Sequence, residues 1–145
     1  MERKKQLIAV NWLIETKNKI LLQRRGSTPY KDYWELGGGI VEYGEIIEHA
    51  LIREAKEETG LRIKPVSIIG VYSDKNRDPR GHVVAILFSA RITGGKLSTN
   101  LEAKEFKWVE SNKINSIKLA FDHNKMVKDY MKWKKTGKRI DKQGP

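Results

Sequence analysis

The sequence predicts a mixed α/β fold, an α+β arrangement in which a mixed β-sheet is sandwiched between α-helices. Three observations carry this. Short apolar runs rich in strand formers recur between Leu7 and Glu110. Two stretches, Glu45–Thr59 and Phe121–Trp133, repeat apolar residues at helical spacing. The two kinds of segment do not alternate strictly, as an all-parallel sheet would require. A chain of 145 residues suits one domain, expected over residues 1–135, followed by a basic tail at 136–145.

Each element follows from local chemistry. "LIAVNWLI" (Leu7–Ile14) reads as a strand, "TKNK" as a turn and "ILLQRR" (Ile20–Arg25) as its hairpin partner. Residues Gly26–Trp34 form a loop with turn residues and aromatics, and Gly37–Gly39 break the backbone pattern. Glu45–Thr59 is a helix with Gly60 just past its end. A strand at Val66–Ser73, a loop at Asp74–Gly81 and a long strand at His82–Ile92 come next. "TGGK" turns the chain, Glu105–Glu110 is a short strand, and Phe121–Trp133 is a closing helix.

Composition excludes several classes of function. There is no cysteine, so disulfides, thiolate nucleophiles and zinc–cysteine sites are ruled out, in keeping with a reducing, cytoplasmic setting. The basic N-terminal segment has only a short apolar run broken by Asn11 and Glu15, which is neither a signal peptide nor a membrane span. The formal net charge is +11, which points to anionic partners. From Lys125 onward eight basic residues face Asp129 and Asp141, so +6 of that charge lies at the C-terminus. This is the pattern of a solvated tail, with nucleic acid as the less favoured alternative. Nothing in the composition opposes a homodimer.

Against this basic background, "REAKEETG" (Arg53–Gly60) places three glutamates within two turns of a helix. At about 100° per residue, Glu58 lies about 40° from Glu54 on one side and Glu57 about 60° on the other, along the stripe that earlier carries Ile47, Ala50 and Leu51. Carboxylates on a semi-buried stripe repel one another unless a cation sits among them, and hard divalent ions favour such oxygen ligands. A solvated acidic helix end paired by Arg53 and Lys56 is the ordinary alternative.

The wider spacing decides between them. Gly39, Glu45, Arg53, Glu54, Glu57, Glu58 and Gly60 stand in the pattern G-x5-E-x7-R-E-U-x-E-E-x-G-U. With each fixed residue at about 7% background, the seven coincide by chance at roughly 10⁻⁸ per start site. The chain thereby resembles the Nudix hydrolases, over a motif spanning Gly39–Leu61 and a strand order that fits most of its length.

The resemblance implies a Nudix fold with the motif as a loop–helix–loop. It also implies divalent-metal-dependent hydrolysis of a nucleoside diphosphate linked to a further group, with Mg²⁺ as cofactor and Mn²⁺ as a substitute. By position, Glu57 and Glu58 are expected as metal ligands, and Glu54 as a ligand or the base acting on the attacking water. Gly38 is expected against the metal, Arg53 orients a glutamate, and Glu45 sits behind the metal or touches it. A later carboxylate is expected from Glu102 or Glu105, with Glu102 favoured. Gly37 departs from the proline often found there, which would loosen the turn.

The motif leaves the substrate open. "RDPRGH" (Arg77–His82) and "LAFDHNKM" are similar to segments of small ADP-ribose pyrophosphatase-like members, so ADP-ribose, cleaved to AMP and ribose 5-phosphate, is the favoured substrate. Arg25, Tyr33, Arg77 and Arg80 are the expected substrate contacts, the arginines for phosphate or terminal ribose and the aromatics for a base. Trp34 is expected in the core and His82 as a structural histidine. Nucleoside triphosphates, including oxidised ones, and diadenosine tetraphosphate are alternative substrates. A non-catalytic nucleotide- or RNA-binding module is the alternative of another class, but no box glutamate is missing.

Overall fold

Alternation along the first strand divides the interior in two. The computed structural model describes residues 3–137, and the basic tail from 138 onward lies outside the described residues. On β1 (Leu7–Thr16), Ala9 and Leu13 point into one core, while Val10, Trp12 and Ile14 point into the other. Successive strand side chains face opposite ways, so a strand covered on both faces must be apolar at nearly every position.

β1 pairs with β2 (Lys19–Arg25) through a tight turn, in which Lys17 and Asn18 take positive φ. Its residues Ala9–Asn11 pair with β4 (Gly38–Ile40), and Leu7 to Ile14 run parallel to β6 (Val83–Gly95). β3 (Trp34–Glu35) and β7 (Ala103–Glu110) flank β2, while β5 (Leu61–Tyr72) forms the far edge beside β6. The sheet order is β3-β2-β1-β6-β5, with β4 on β1 and β7 on β2. The β1–β6 pair makes the sheet mixed.

The helix α1 (Ile47–Thr59) covers one face, burying Ala50, Leu51 and Ala55 against Val10, Trp12, Ile14 and Phe88. A short 3₁₀ turn (Ile114–Ser116) and α2 (His123–Thr136) cover the other, with Met126, Val127 and Tyr130 against Leu13, Leu22 and Leu87. Gly60 ends α1 in the left-handed region (φ 81°) and donates its N–H to the Lys56 carbonyl. Among the described residues, no helix is long and apolar enough to cross a membrane.

Three segments differ from the local reading. The triglycine break is itself a strand, because Gly38 and Gly39 pair with Asn11 and Val10. β5 begins at Leu61 rather than Val66: Leu61 and Ile63 are buried while Arg62 and Lys64 are exposed, a period of two interrupted by Pro65 at a register shift on the edge strand. The "TGGK" turn still belongs to β6, since Gly94 and Gly95 pair with Arg62 and Leu61.

Candidate active site

One face of α1 and one loop bring three carboxylates together. Glu54, Glu58 and Glu102 each offer an oxygen, and these oxygens lie within 4.8 Å of one another. Glu54 and Glu58 are four residues apart and share a helix face. Glu102 arrives from the segment before β7, where Asn100 fixes it. The Asn100 side chain accepts from the Glu102 and Ala103 N–H groups and donates to the Glu58 carbonyl at 2.6 Å, so the loop is anchored on the C-terminal end of α1. Gly39 lets β4 approach: a Cβ there would stand 2.2 Å from the Glu54 carboxyl carbon.

Burial sets the electrostatics. Glu58 is nearly inaccessible, and burial, with Glu35 and Glu54 nearby, pushes its carboxyl well above the usual range. Two donors oppose this: the Gly38 N–H at 2.9 Å and Gln23 Nε2 at 3.3 Å. The same Gln23 amide donates to Glu35 Oε2 at 2.9 Å, and Glu35 Oε1 accepts from Arg25 Nη1 at 2.9 Å. Glu35 is likewise raised by burial, against the pull of Arg25 and Gln23, and Glu54 by its own desolvation.

Arg53 holds the outer side of the cluster. It donates to both oxygens of Glu45 (2.8 and 2.9 Å), to Glu54 Oε1 at 2.8 Å and to Glu57 Oε2 at 3.3 Å. Those bonds from Arg53 lower Glu45 to about 2, and the pairing raises Arg53 further. Glu45 thus acts on Arg53 and not on the carboxylate cluster.

A cavity of about 450 Å³ is lined by this cluster and by basic side chains. Arg25, Arg77, Arg80, Phe121 and His123 also line it. Arg80 is fastened to Asp78 by two bonds, 3.1 Å from Nε and 2.8 Å from Nη2. Arg77 makes a fork on Asp122, 2.9 and 2.6 Å, and is buried.

The expected site residues divide accordingly. Gly38, Glu54, Glu58, Glu102, Arg25 and Arg80 meet in the cavity, and Arg53 borders it through Glu54. Glu57 stays outside the group of three, since its offset on the helix turns its carboxylate toward solvent and Arg53. Glu105 pairs with Arg24 at 3.3 Å instead. Arg77 reaches the cavity wall, but its guanidinium is engaged by Asp122. Tyr33 does not line the cavity; its ring lies edge-on to Tyr30 at 5.3 Å. Trp34 is partly buried against the α2 core, and His82 Nε2 pairs with the Ser73 carbonyl at 2.9 Å. Gly37 does more than loosen a turn: a Cβ there would stand 1.9 Å from the Trp12 ring. Gln23, Glu35, Asn100 and Phe121 join the site without a signal in the sequence. No spacing rule marks them, because their partners come from distant parts of the chain.

Comparison with known proteins agrees with this geometry. The model of the NUDIX domain matches residues 4–130. The chain is 51% identical over 127 residues to the ADP-ribose pyrophosphatase of Methanocaldococcus jannaschii, an alignment covering 88% of this chain and 74% of that protein. Among solved structures, a MutT/nudix family protein from Enterococcus faecalis superposes with a TM-score of 0.78 at 27% identity, over 93% of this chain and 64% of that one. The NUDIX domain of Shewanella oneidensis NrtR, solved with ADP ribose, superposes with a TM-score of 0.77 at 23% identity, over 90% and 89% of the two chains.

Proposed function

The chain belongs to the Nudix family, and from that premise we propose that it hydrolyses the diphosphate linkage of ADP-ribose, releasing AMP and ribose 5-phosphate, with Mg²⁺ as the favoured ion and Mn²⁺ as a substitute. The observation that carries the chemistry is the convergence of Glu54, Glu58 and Glu102. An all-oxygen, carboxylate-rich set suits a hard divalent ion, and the raised Glu58 carboxyl is a buried acid in want of a neighbouring positive charge. An ion held there would neutralise diphosphate charge and acidify the attacking water. The likeness to the ADP-ribose pyrophosphatase of M. jannaschii supports the choice of substrate.

The side chains supply the rest. Glu58 is held rigid by Gly38 and Gln23, and Glu54 by Arg53, so both are oriented before substrate arrives. Glu54 is the group we assign to accept the proton of the attacking water: it is more open than Glu58, and burial raises its carboxyl against the pull of Arg53, which makes it a better base. Arg25 and Arg80 line the same cavity and supply cationic donors for the substrate's anionic groups.

The test is product analysis with a panel of nucleotides in Mg²⁺ and in Mn²⁺. ADP-ribose is expected to give AMP and ribose 5-phosphate with a higher kcat/KM than any nucleoside triphosphate. A triphosphate turned over faster than ADP-ribose overturns the substrate assignment, and undiminished turnover in EDTA overturns the metal assignment.

A further inference from the structure

Phe121 occupies an improbable position for its type. Its φ is 52°, a left-handed conformation that costs a bulky L-residue on the order of 1 kcal/mol or more, and it stands one residue before the N-cap of α2. The side chain is only partly buried and lines the cavity. Two guanidiniums lie over its ring, Arg25 at 5.0 Å and Arg80 at 5.3 Å from the centroid. Tyr30 packs against it at 4.7 Å, which fixes the plane of the ring.

The hydrogen bonds of the two arginines complete the pattern. Arg25 commits Nε to the Pro29 carbonyl and Nη1 to Glu35, so Nη2 makes no hydrogen bond to the described residues. Arg80 commits Nε and Nη2 to Asp78, which leaves Nη1 in the same condition. Arg25 is therefore held by two acceptors and Arg80 by one carboxylate, each also lies over the Phe121 ring, and each has one amino group left for a ligand. Two like charges brought to one ring repel each other, and the ring's negative faces offset that repulsion.

We propose that Phe121 is a positioning residue that holds Arg25 and Arg80 as a two-pronged anion grip in the cavity that the carboxylate cluster also lines. It rests on the reading of this cavity as the substrate site. The strain at Phe121 is the cost of placing an aromatic ring against two arginines that come from distant parts of the chain. What it positions is the pair of remaining amino groups, matched to phosphate oxygens.

The test measures binding and turnover separately. Methylenediphosphonate, whose P–C–P bridge is not hydrolysed, is titrated by calorimetry in Mg²⁺ into wild type, Phe121→Leu, Phe121→Met and Phe121→Tyr. Leu and Met keep apolar bulk and lose the ring quadrupole, whereas Tyr keeps both; having two apolar variants covers the case in which one fails to fold. Loss of two partly exposed cation–π contacts predicts about 10-fold weaker binding for Leu and Met, and a change within about 2-fold for Tyr. The KM for ADP-ribose should rise by a similar factor while kcat moves much less. Adding Arg80→Lys to Phe121→Leu should weaken binding by less than the same change does in wild type, because the ring no longer orients that arginine. Wild-type affinity in both apolar variants, a fall in kcat at unchanged KM, a Tyr variant as weak as Leu, or a wild type that does not bind the diphosphonate each overturns the proposal. If wild type binds the diphosphonate but does not turn over ADP-ribose, the substrate reading falls and the grip stands.

Discussion

Arg77 and Asp122 are joined by two parallel hydrogen bonds of 2.9 and 2.6 Å, linking the loop after β5 to the start of α2 across 45 residues. The pair is largely buried, and Arg77 also donates to the Val83 carbonyl at 3.4 Å. An arginine so engaged is a clamp that shapes the cavity wall. Removing one partner leaves the other charged and desolvated, so Arg77→Met should cost about 3 kcal/mol, at the low end for a broken buried pair. Arg80→Lys, at a half-exposed position that keeps a charge beside Asp78, should cost under about 1 kcal/mol. Urea denaturation of the two variants makes the comparison; equal losses would show that Arg77 is no more structural than Arg80.

Glu58 carries the opposite combination, stability given up for chemistry. Its carboxylate is buried beside Glu35 and Glu54, and neutralising it relieves that repulsion. Glu58→Gln keeps the shape and an acceptor for the Gly38 N–H. The metal-free variant should therefore melt no lower than wild type, while kcat falls on the order of 10²-fold or more, the scale of losing a major electrostatic element. A variant with near-normal turnover would remove Glu58 from the metal site. One that melts well below wild type without metal would mean that the Gly38 and Gln23 bonds require the charged form.

Metal binding should then appear as stability. Glu35, Glu54 and Glu58 all have carboxyls raised by burial, so the metal-free native state holds more protons than the unfolded chain above the ordinary carboxylate range. This contribution is fully present below about pH 4.3 and is lost as pH rises through the raised native values. A divalent ion at the cluster acts in the other direction, since it binds the deprotonated ligands. Mg²⁺ or Mn²⁺ should raise Tm, adding about 2.7 kcal/mol of stability when the ion stands at 100 times Kd, and at one fixed ion concentration the increment should grow from pH 5 to pH 8 as deprotonation of the ligands lowers Kd. Melting curves that ignore the ion at every pH would argue against a preformed site.

How much of this was legible in the chain follows from where each partner lies. Glu54 and Glu58 are one helical turn apart, so their shared face is written in adjacent residues, and Gly60 marks the helix end by its own backbone preference. Gly39 announces a close approach without naming what approaches. Gln23, by contrast, reaches 35 residues to Glu58, and Asn100 reaches 42 to the same residue's carbonyl. Neither has a local signature that separates it from a surface amide. Glu35 reads as an ordinary polar residue beside Trp34, and only the packing of β3 against β2 buries it next to Arg25. Arg77 and Arg80 look alike in "RDPR"; their roles separate only because α2 supplies Asp122.

His123 offers a second pH signature with the opposite sign. It is fully buried, and its Nδ1 accepts the Leu36 N–H at 3.1 Å, tying the start of α2 to the segment before β4. A protonated ring would lose that bond and place a charge in the core, and burial lowers its pKa to about 3. In the unfolded chain the ring titrates near 6.5, so between about pH 6.5 and pH 3 the unfolded state binds a proton that the native state refuses. Native stability attributable to His123 is therefore fully present above about pH 6.5 and falls as the medium is acidified, by on the order of 3 kcal/mol at pH 4. His123→Gln retains an acceptor for Leu36 and removes the titration. It should start about 1–2 kcal/mol less stable at pH 7 through imperfect packing and then lose less than wild type on acidification. Glu35 and Glu58 titrate in both proteins, so the difference between the two stability curves isolates the histidine. Urea titrations at half-unit steps from pH 7.5 to 4 should show the curves converging, crossing between about pH 6 and pH 5, and leaving the variant the more stable at pH 4. Parallel curves would mean that the ring is protonated or solvated in the native protein.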